Sequence, residues 1–143
     1  MKRIILMGRS GAGKTTLIEA LRGEELVYRK TQYISYETDF MDTPGEYAEG
    51  KELGGALAVY SYEADVVGLV IEATDDYCIF PPACAPVANR PVVGIVTKCD
   101  APDARPELAA MRLQLCGCDP IFYTSSKTRK GIDEILQYLK EEP

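Results

Sequence analysis

The chain has 143 residues, 46% hydrophobic and 27% charged, which is enough for one globular domain whose core stands without covalent staples and too few for a second. A formal net charge of −6 argues against an electrostatic grip on nucleic acid or anionic lipid, and the absence of His removes Ser-His triads and histidine metal ligation. Five cysteines (Cys78, Cys84, Cys99, Cys116 and Cys118) match no common zinc spacing and form no extracellular framework, and no apolar run approaches the roughly 20 residues that span a bilayer, so the expectation is free thiols in a cytoplasmic protein without membrane insertion.

In chain order, Lys2 to Met7 reads as a strand, and Thr15 to Arg22 reads as a helix with Leu17, Ile18 and Leu21 on one face, stopping before Gly23. Glu24 to Thr31 reads as a polar loop, followed by short strands at Tyr33 to Tyr36 and Asp39 to Met41. Tyr47 to Tyr62 places Leu53, Ala56, Leu57 and Tyr60 at helical spacing across the Gly54-Gly55 pair. Val66 to Ile71 and Val92 to Val96 are continuous apolar runs, the pattern of strands buried on both faces of a parallel sheet. Four prolines between Phe80 and Pro91 forbid a long helix there. Pro106 to Leu115 (helix), Ile121 to Tyr123 (strand) and Ile132 to Lys140 (helix) close the chain. This alternation predicts an α/β architecture in three layers, a mostly parallel sheet with helices on both faces, as a single domain over residues 1–143.

The strongest chemical signal is Gly8-Arg9-Ser10-Gly11-Ala12-Gly13-Lys14-Thr15, a complete G-x-x-x-x-G-K-[ST] set between a strand and a helix, which predicts a P-loop NTPase fold. Backbone N–H groups of Ser10, Gly11, Ala12, Gly13 and the first helical residues through Thr16 would surround a polyphosphate, Lys14 would bring a point charge to its β/γ oxygens, and the Thr15 hydroxyl would face Mg²⁺. Such a loop specifies a nucleotide without specifying its base. Asp42-Thr43-Pro44-Gly45 follows a short strand, where the Asp42 carboxylate can hold a Mg²⁺-bound water and the Gly45 N–H can meet a γ-phosphate, although the same four residues also make an ordinary turn. Thr97-Lys98-Cys99-Asp100 and Thr124-Ser125-Ser126-Lys127 both follow strands, at the carboxyl ends where open α/β sheets bind ligands. The first of these also suits a helix N-cap, with Asp100 ahead of Ala101-Pro102.

With these five motifs in order, the chain resembles the translation-factor-like and Ras-like GTPases. That resemblance implies GTP or GDP with Mg²⁺: Asp100 accepting from the guanine N1 and exocyclic amine, Lys98 laying its stem along the base, and Ser125-Ser126, beside Lys127, meeting the guanine oxygen. It also implies four departures. Thr97 stands where the family has an Asn that ties the base loop to the P-loop, so a weaker tie and moderate guanine affinity are expected. Ser126 replaces an Ala. Glu46 occupies the place of a water-orienting Gln, where a carboxylate could accept a proton from water but would be repelled by the γ-phosphate, and it also suits an exposed residue at the start of the second helix, favoured by the helix dipole. Gly11 replaces the Asn of potassium-assisted relatives, and Arg9 is not expected to act as an arginine finger. The expected catalytic set is therefore Lys14, Thr31, Gly45 and Glu46, with slow intrinsic hydrolysis unless a partner supplies the missing group.

More narrowly, KRIILMGRSGAGKTTL from Lys2, KTQ at Lys30 to Gln32, DTPGEY at Asp42 to Tyr47, EAD at Glu63 to Asp65 and NRPVVGIVTKCD at Asn89 to Asp100 are similar to the EutP/PduV family. That resemblance implies a link with ethanolamine or propanediol utilisation and with the bacterial microcompartments housing those pathways, whose proteins become the expected partners. It makes Thr31 the switch threonine that would join Thr15 and Asp42 at the metal, although a plain loop threonine also fits that position. Three activities stay open: a GTP-dependent switch or assembly factor, a P-loop kinase moving the γ-phosphoryl to a small carboxylate such as acetate, and a nucleotide-binding scaffold without hydrolysis.

Overall fold

The computed structural model describes residues 2–9, 11–29, 40–43 and 53–141. Five strands, β1 (Ile4–Met7), β2 (Phe40–Asp42), β3 (Val66–Glu72), β4 (Val92–Thr97) and β5 (Ile121–Tyr123), form one sheet in the order β2-β1-β3-β4-β5 with every pairing parallel. The helices are α1 (Lys14–Arg29), α2 (Leu53–Tyr60), α3 (Pro106–Cys116) and α4 (Ile132–Lys140), with 3-10 turns at Ser61–Glu63 and Ala85–Val87.

Alternation along β1 shows how the layers are held together. Ile4 and Leu6 point into a core shared with Leu17, Leu21, Ile135 and Leu139, whereas Ile5 and Met7 point into a core shared with Leu57 and Leu113. Helices α1 and α4 thus cover one face, and α2 and α3 the other. Because each central strand is apolar on both faces, β1, β3 and β4 read as unbroken hydrophobic runs, and every residue in them is buried. The three-layer parallel architecture expected from the sequence is observed.

Most element positions agree with their sequence signals, and α4 matches at both ends. The first helix does not. It continues through Gly23 to Arg29, across residues expected to be loop from Glu24. A glycine ends a helix by turning left-handed, and Gly23 is not among the left-handed residues; as an ordinary helical residue it costs only about 1 kcal/mol relative to Ala. It also lies beneath Arg129, whose Nη1 would be 3.5 Å from a Cβ at that position and donates to the Ala20 carbonyl at 3.3 Å. The strand expected at Tyr33 to Tyr36 and the first turns of the helix expected from Tyr47 lie outside the described residues. Between Phe80 and Pro91 the only regular element is the 3-10 turn at Ala85–Val87, as the prolines require.

All five cysteines are free thiols, and Cys116, distant in sequence, meets Cys78 and Cys84, with the Cys116 thiol as the hydrogen-bond donor. The bond with Cys116 brings the Cys78 thiol down to about 7, while burial pushes Cys118 up to about 12. Among the described residues, no helix is long and apolar enough to cross a membrane.

The turn into α4 depends on Gly131, which has φ +80° and where a Cβ would collide with the Tyr123 carbonyl oxygen. Gly131→Ala should therefore destabilise the fold by roughly 2 kcal/mol or more, read as a lower urea midpoint with an unchanged slope.

Candidate functional site

In a parallel sheet every strand ends at the same edge, and β1 is where the connections diverge, to β2 on one side and to β3 on the other. The crevice at that switch point is where open α/β sheets place ligands. The loop after β1 turns into α1 there. Gly13, with φ +94°, packs its bare α-carbon beside the Thr97 side chain, where a Cβ would touch Oγ1 at 3.6 Å. Lys14 is buried and folds back over the loop, its Nζ donating to the carbonyls of Gly8 at 2.7 Å and Arg9 at 3.2 Å.

Thr15, at the start of α1, donates its hydroxyl to Asp42 Oδ2 at 3.2 Å. Asp42 is held at the end of β2 by the Thr43 N–H, which donates to Oδ1 at 2.8 Å, and the buried Thr43 hydroxyl donates to the Leu6 carbonyl in β1 at 2.8 Å. Thr15 and Asp42 together offer two hard oxygen donors on adjacent elements, a donor set suited to Mg²⁺.

A cavity of about 460 Å³ opens beside Gly13 and Thr16. Thr97, Lys98 and Asp100 wall it from the loop after β4, and Ser126 and Lys127 from the loop after β5, with Ala101 and Pro102 completing the lining. This volume lies within the ~300–1,000 Å³ usual for small-molecule sites. The two loops are stitched together by Cys99 N–H donating to the Thr124 carbonyl at 3.1 Å and Thr124 N–H donating to the Val96 carbonyl at 2.7 Å. The Ser125 hydroxyl donates to Asp100 and, with Lys127 nearby, holds its exposed carboxyl below the usual range. Helix α3 starts only at Pro106, so Asp100 is not a helix N-cap.

Thr97 corrects one expectation. Replacing Asn by Thr was expected to loosen the tie between the base loop and the P-loop, yet the buried Thr97 hydroxyl donates to the Ala12 carbonyl at 2.7 Å, with the Ile71 carbonyl a second acceptor at 3.3 Å. The shorter side chain suffices because Gly13 carries no Cβ to hold the loops apart.

Sequence reasoning missed Glu72 and Asp75. Arg9 Nη2 meets Asp75 Oδ1 at 2.5 Å and Glu72 Oε2 at 3.0 Å, and Lys98 Nζ donates to Glu72 Oε1 at 2.5 Å and to the Gly11 carbonyl at 3.2 Å. Burial pushes the Glu72 carboxyl up, but the Lys98 hydrogen bond and the charges of Lys98 and Arg9 outweigh it and hold the group below its ordinary value. The Arg9 guanidinium is raised, chiefly by its hydrogen bond with Asp75. The available signal was two acidic residues at and just past the end of a buried apolar run, Glu72 and Asp75 following Val66 to Ile71. Of the other expected residues, Gly11, Ala12, Lys14, Thr15 and Thr16 gather on the P-loop side, and Ser10, Thr31, Gly45 and Glu46 lie outside the described residues.

Comparison with known proteins places this arrangement among relatives. A family model described as "Ethanolamine utilisation - propanediol utilisation" matches residues 1–141. The chain is 42% identical to the propanediol utilization protein PduV of Citrobacter freundii, over 97% of this chain and 93% of that protein. It is 35% identical to the probable acetate kinase EutP of Salmonella typhimurium, over 97% of this chain and 89% of that one. Among solved structures it is similar to Aquifex aeolicus Era bound to GDP and AlF4⁻, with a TM-score of 0.61 and 21% identity, covering 99% of this chain and 58% of that one.

Thr97→Val should remove the link to the P-loop and leave the Ala12 carbonyl without its short hydrogen bond, lowering stability by about 1–3 kcal/mol in thermal denaturation.

Proposed function

The chain belongs to the PduV-EutP family of ethanolamine and propanediol utilisation, and from that membership we propose that it binds GTP and GDP with Mg²⁺, hydrolyses GTP slowly on its own, and acts as a switch or assembly factor in that metabolism. The observation that carries this reading is the cavity that opens beside Gly13 and Thr16, next to the P-loop, with the Asp100 carboxylate on its wall. A carboxylate pairs with two adjacent donors, the arrangement guanine offers at N1 and its exocyclic amine, whereas adenine would leave it unpaired. Ser126 and Lys127 line the side that would face the guanine oxygen, beside Ser125, which holds Asp100.

At the phosphate end, the loop amides and Lys14 would hold the β and γ groups, the amides by turning inward and Lys14 by its charge. Thr15 and Asp42 are the residues that would hold Mg²⁺, which when bound spreads the charge gathering on the phosphate oxygens. Thr31, Gly45 and Glu46 keep the roles their motifs imply, sensing the γ-phosphate and facing the attacking water. Slow turnover is supported by Arg9, whose charge is already matched by Glu72 and Asp75, because a cation provided by a partner in trans contributes ~10³ to 10⁵ in rate. The partner is a protein of the metabolic microcompartment, met in the cytoplasm.

A second reading, transfer of the γ-phosphoryl to acetate or a similar carboxylate, is favoured by the 35% identity to a protein named as a probable acetate kinase. It uses the same Lys14, Thr15 and Asp42 and differs only in the acceptor.

Titration of GTP, GDP and ATP, followed by phosphate release with and without acetate, separates the two. Guanine preference with slow, acetate-independent release supports the GTPase; nucleoside diphosphate formation that requires acetate supports the kinase. Lys14→Ala should weaken GTP binding about a hundredfold, and Asp100→Asn should reduce the preference for GDP over ADP by a similar factor, about a hundredfold. Unchanged affinity in the first variant, or unchanged preference in the second, would count against the site.

A further inference from the structure

Strand β3 lies between β1 and β4, so a side chain at its carboxyl end sits between the loop that follows β1 and the loop that follows β4. Glu72 is that side chain, opposite Thr97 in the register of β3 and β4. Its two oxygens face opposite loops. Oε1 takes the Lys98 ammonium, and Oε2 takes the Arg9 guanidinium of the P-loop and the Thr74 hydroxyl at 3.2 Å. The Glu72 side chain is 10% exposed and the Lys98 side chain 48%, so a largely buried carboxylate anchors a half-open lysine.

Lys98 needs an anchor. Its backbone has φ +60°, a conformation that L-residues other than Gly adopt at a cost and that here turns the side chain back toward the P-loop. From there the stem runs along the cavity wall to an ammonium fixed at two points, Glu72 and the Gly11 carbonyl. Without Glu72 the single 3.2 Å bond to Gly11 remains, and a flexible four-carbon chain regains its rotamers.

We propose that Glu72 is a positioning residue for the purine half of the site: it holds the Lys98 stem flat against the cavity wall, where the stem covers one face of the base, and through Arg9 it locks that lysine to the P-loop. This rests on the guanine-nucleotide reading and adds to it a residue outside the nucleotide motifs. The phosphate half is independent of it, because Arg9 keeps Asp75 when Glu72 is neutralised.

The test measures binding of GDP and of magnesium tripolyphosphate, a probe that has phosphates but no base, to the full chain and its variants. Glu72→Gln should weaken GDP about tenfold while leaving tripolyphosphate unchanged, and should add almost nothing in a Lys98→Met background. Equal loss for both probes, or a full tenfold loss in the Lys98→Met background, would overturn the assignment and reduce Glu72 to a support of the fold. If Glu72→Gln does not fold, Glu72→Asp keeps the buried charge beside Arg9 but is one methylene too short to hold Lys98 as well. It should show the same selective loss for GDP, and wild-type GDP affinity in this variant would equally overturn the proposal. A wild-type chain that binds tripolyphosphate but no guanine nucleotide would instead remove the reading on which the proposal rests.

Discussion

A strand covered on both faces can satisfy its backbone only sideways, and the site follows from that constraint on β1. With β2 on one flank and β3 on the other, all parallel, its carboxyl end opens onto a crevice bordered by the ends of its neighbours. The P-loop, Asp42, Glu72 and Thr97 are far apart in the chain, yet each follows or ends a strand of this sheet. The sheet delivers them to one edge, and the two cores on its faces keep that edge in place.

Charge is managed locally, against the sign of the whole chain. The net charge is −6, but Arg9, Lys14 and Lys98 converge on the P-loop. Three nearby cations repel one another in a setting of reduced dielectric, so each needs a fixed counter-dipole or counter-charge. Lys14 uses loop carbonyls, Lys98 uses Glu72 and a carbonyl, and Arg9 uses two carboxylates. Arg9 and Lys98 thereby serve as braces between loops, and Lys14 is the cation whose ammonium is cradled within the P-loop itself.

Relatives with different names match nearly the whole of this chain, and the proposed site leaves chemical room for both names. On the proposed reading, Lys14, Thr15 and Asp42 would hold a triphosphate and its Mg²⁺ in the same way whether the acceptor is water or a carboxylate. The acceptor would then be selected on the far side of the γ-phosphate, the role the sequence motifs imply for Thr31, Gly45 and Glu46. The choice between the two proposed activities thus turns on a few residues at one end of the site, while the purine end proposed around Asp100 would serve either.

Much of this was legible in the residues alone. The P-loop pattern between a strand and a helix, the continuous apolar runs of β3 and β4, the prolines of residues 80–91 and the 3.6-residue period of α4 are local signals, each enforced by backbone geometry or by burial along a single element, and the structure places them accordingly. Other features were not local. The continuation of α1 through Gly23 depends on a glycine that stays helical beneath Arg129, more than a hundred residues away. The reach of Thr97 to Ala12 depends on how closely the β4 end approaches a bare Gly13. The role of Glu72 depends on β3 lying between β1 and β4. Sequence determines what each segment prefers to be, because period, propensity and motif act over a few residues; which carboxylate meets which cation is decided by strand order, because only the assembled sheet brings separate strand ends within hydrogen-bonding distance.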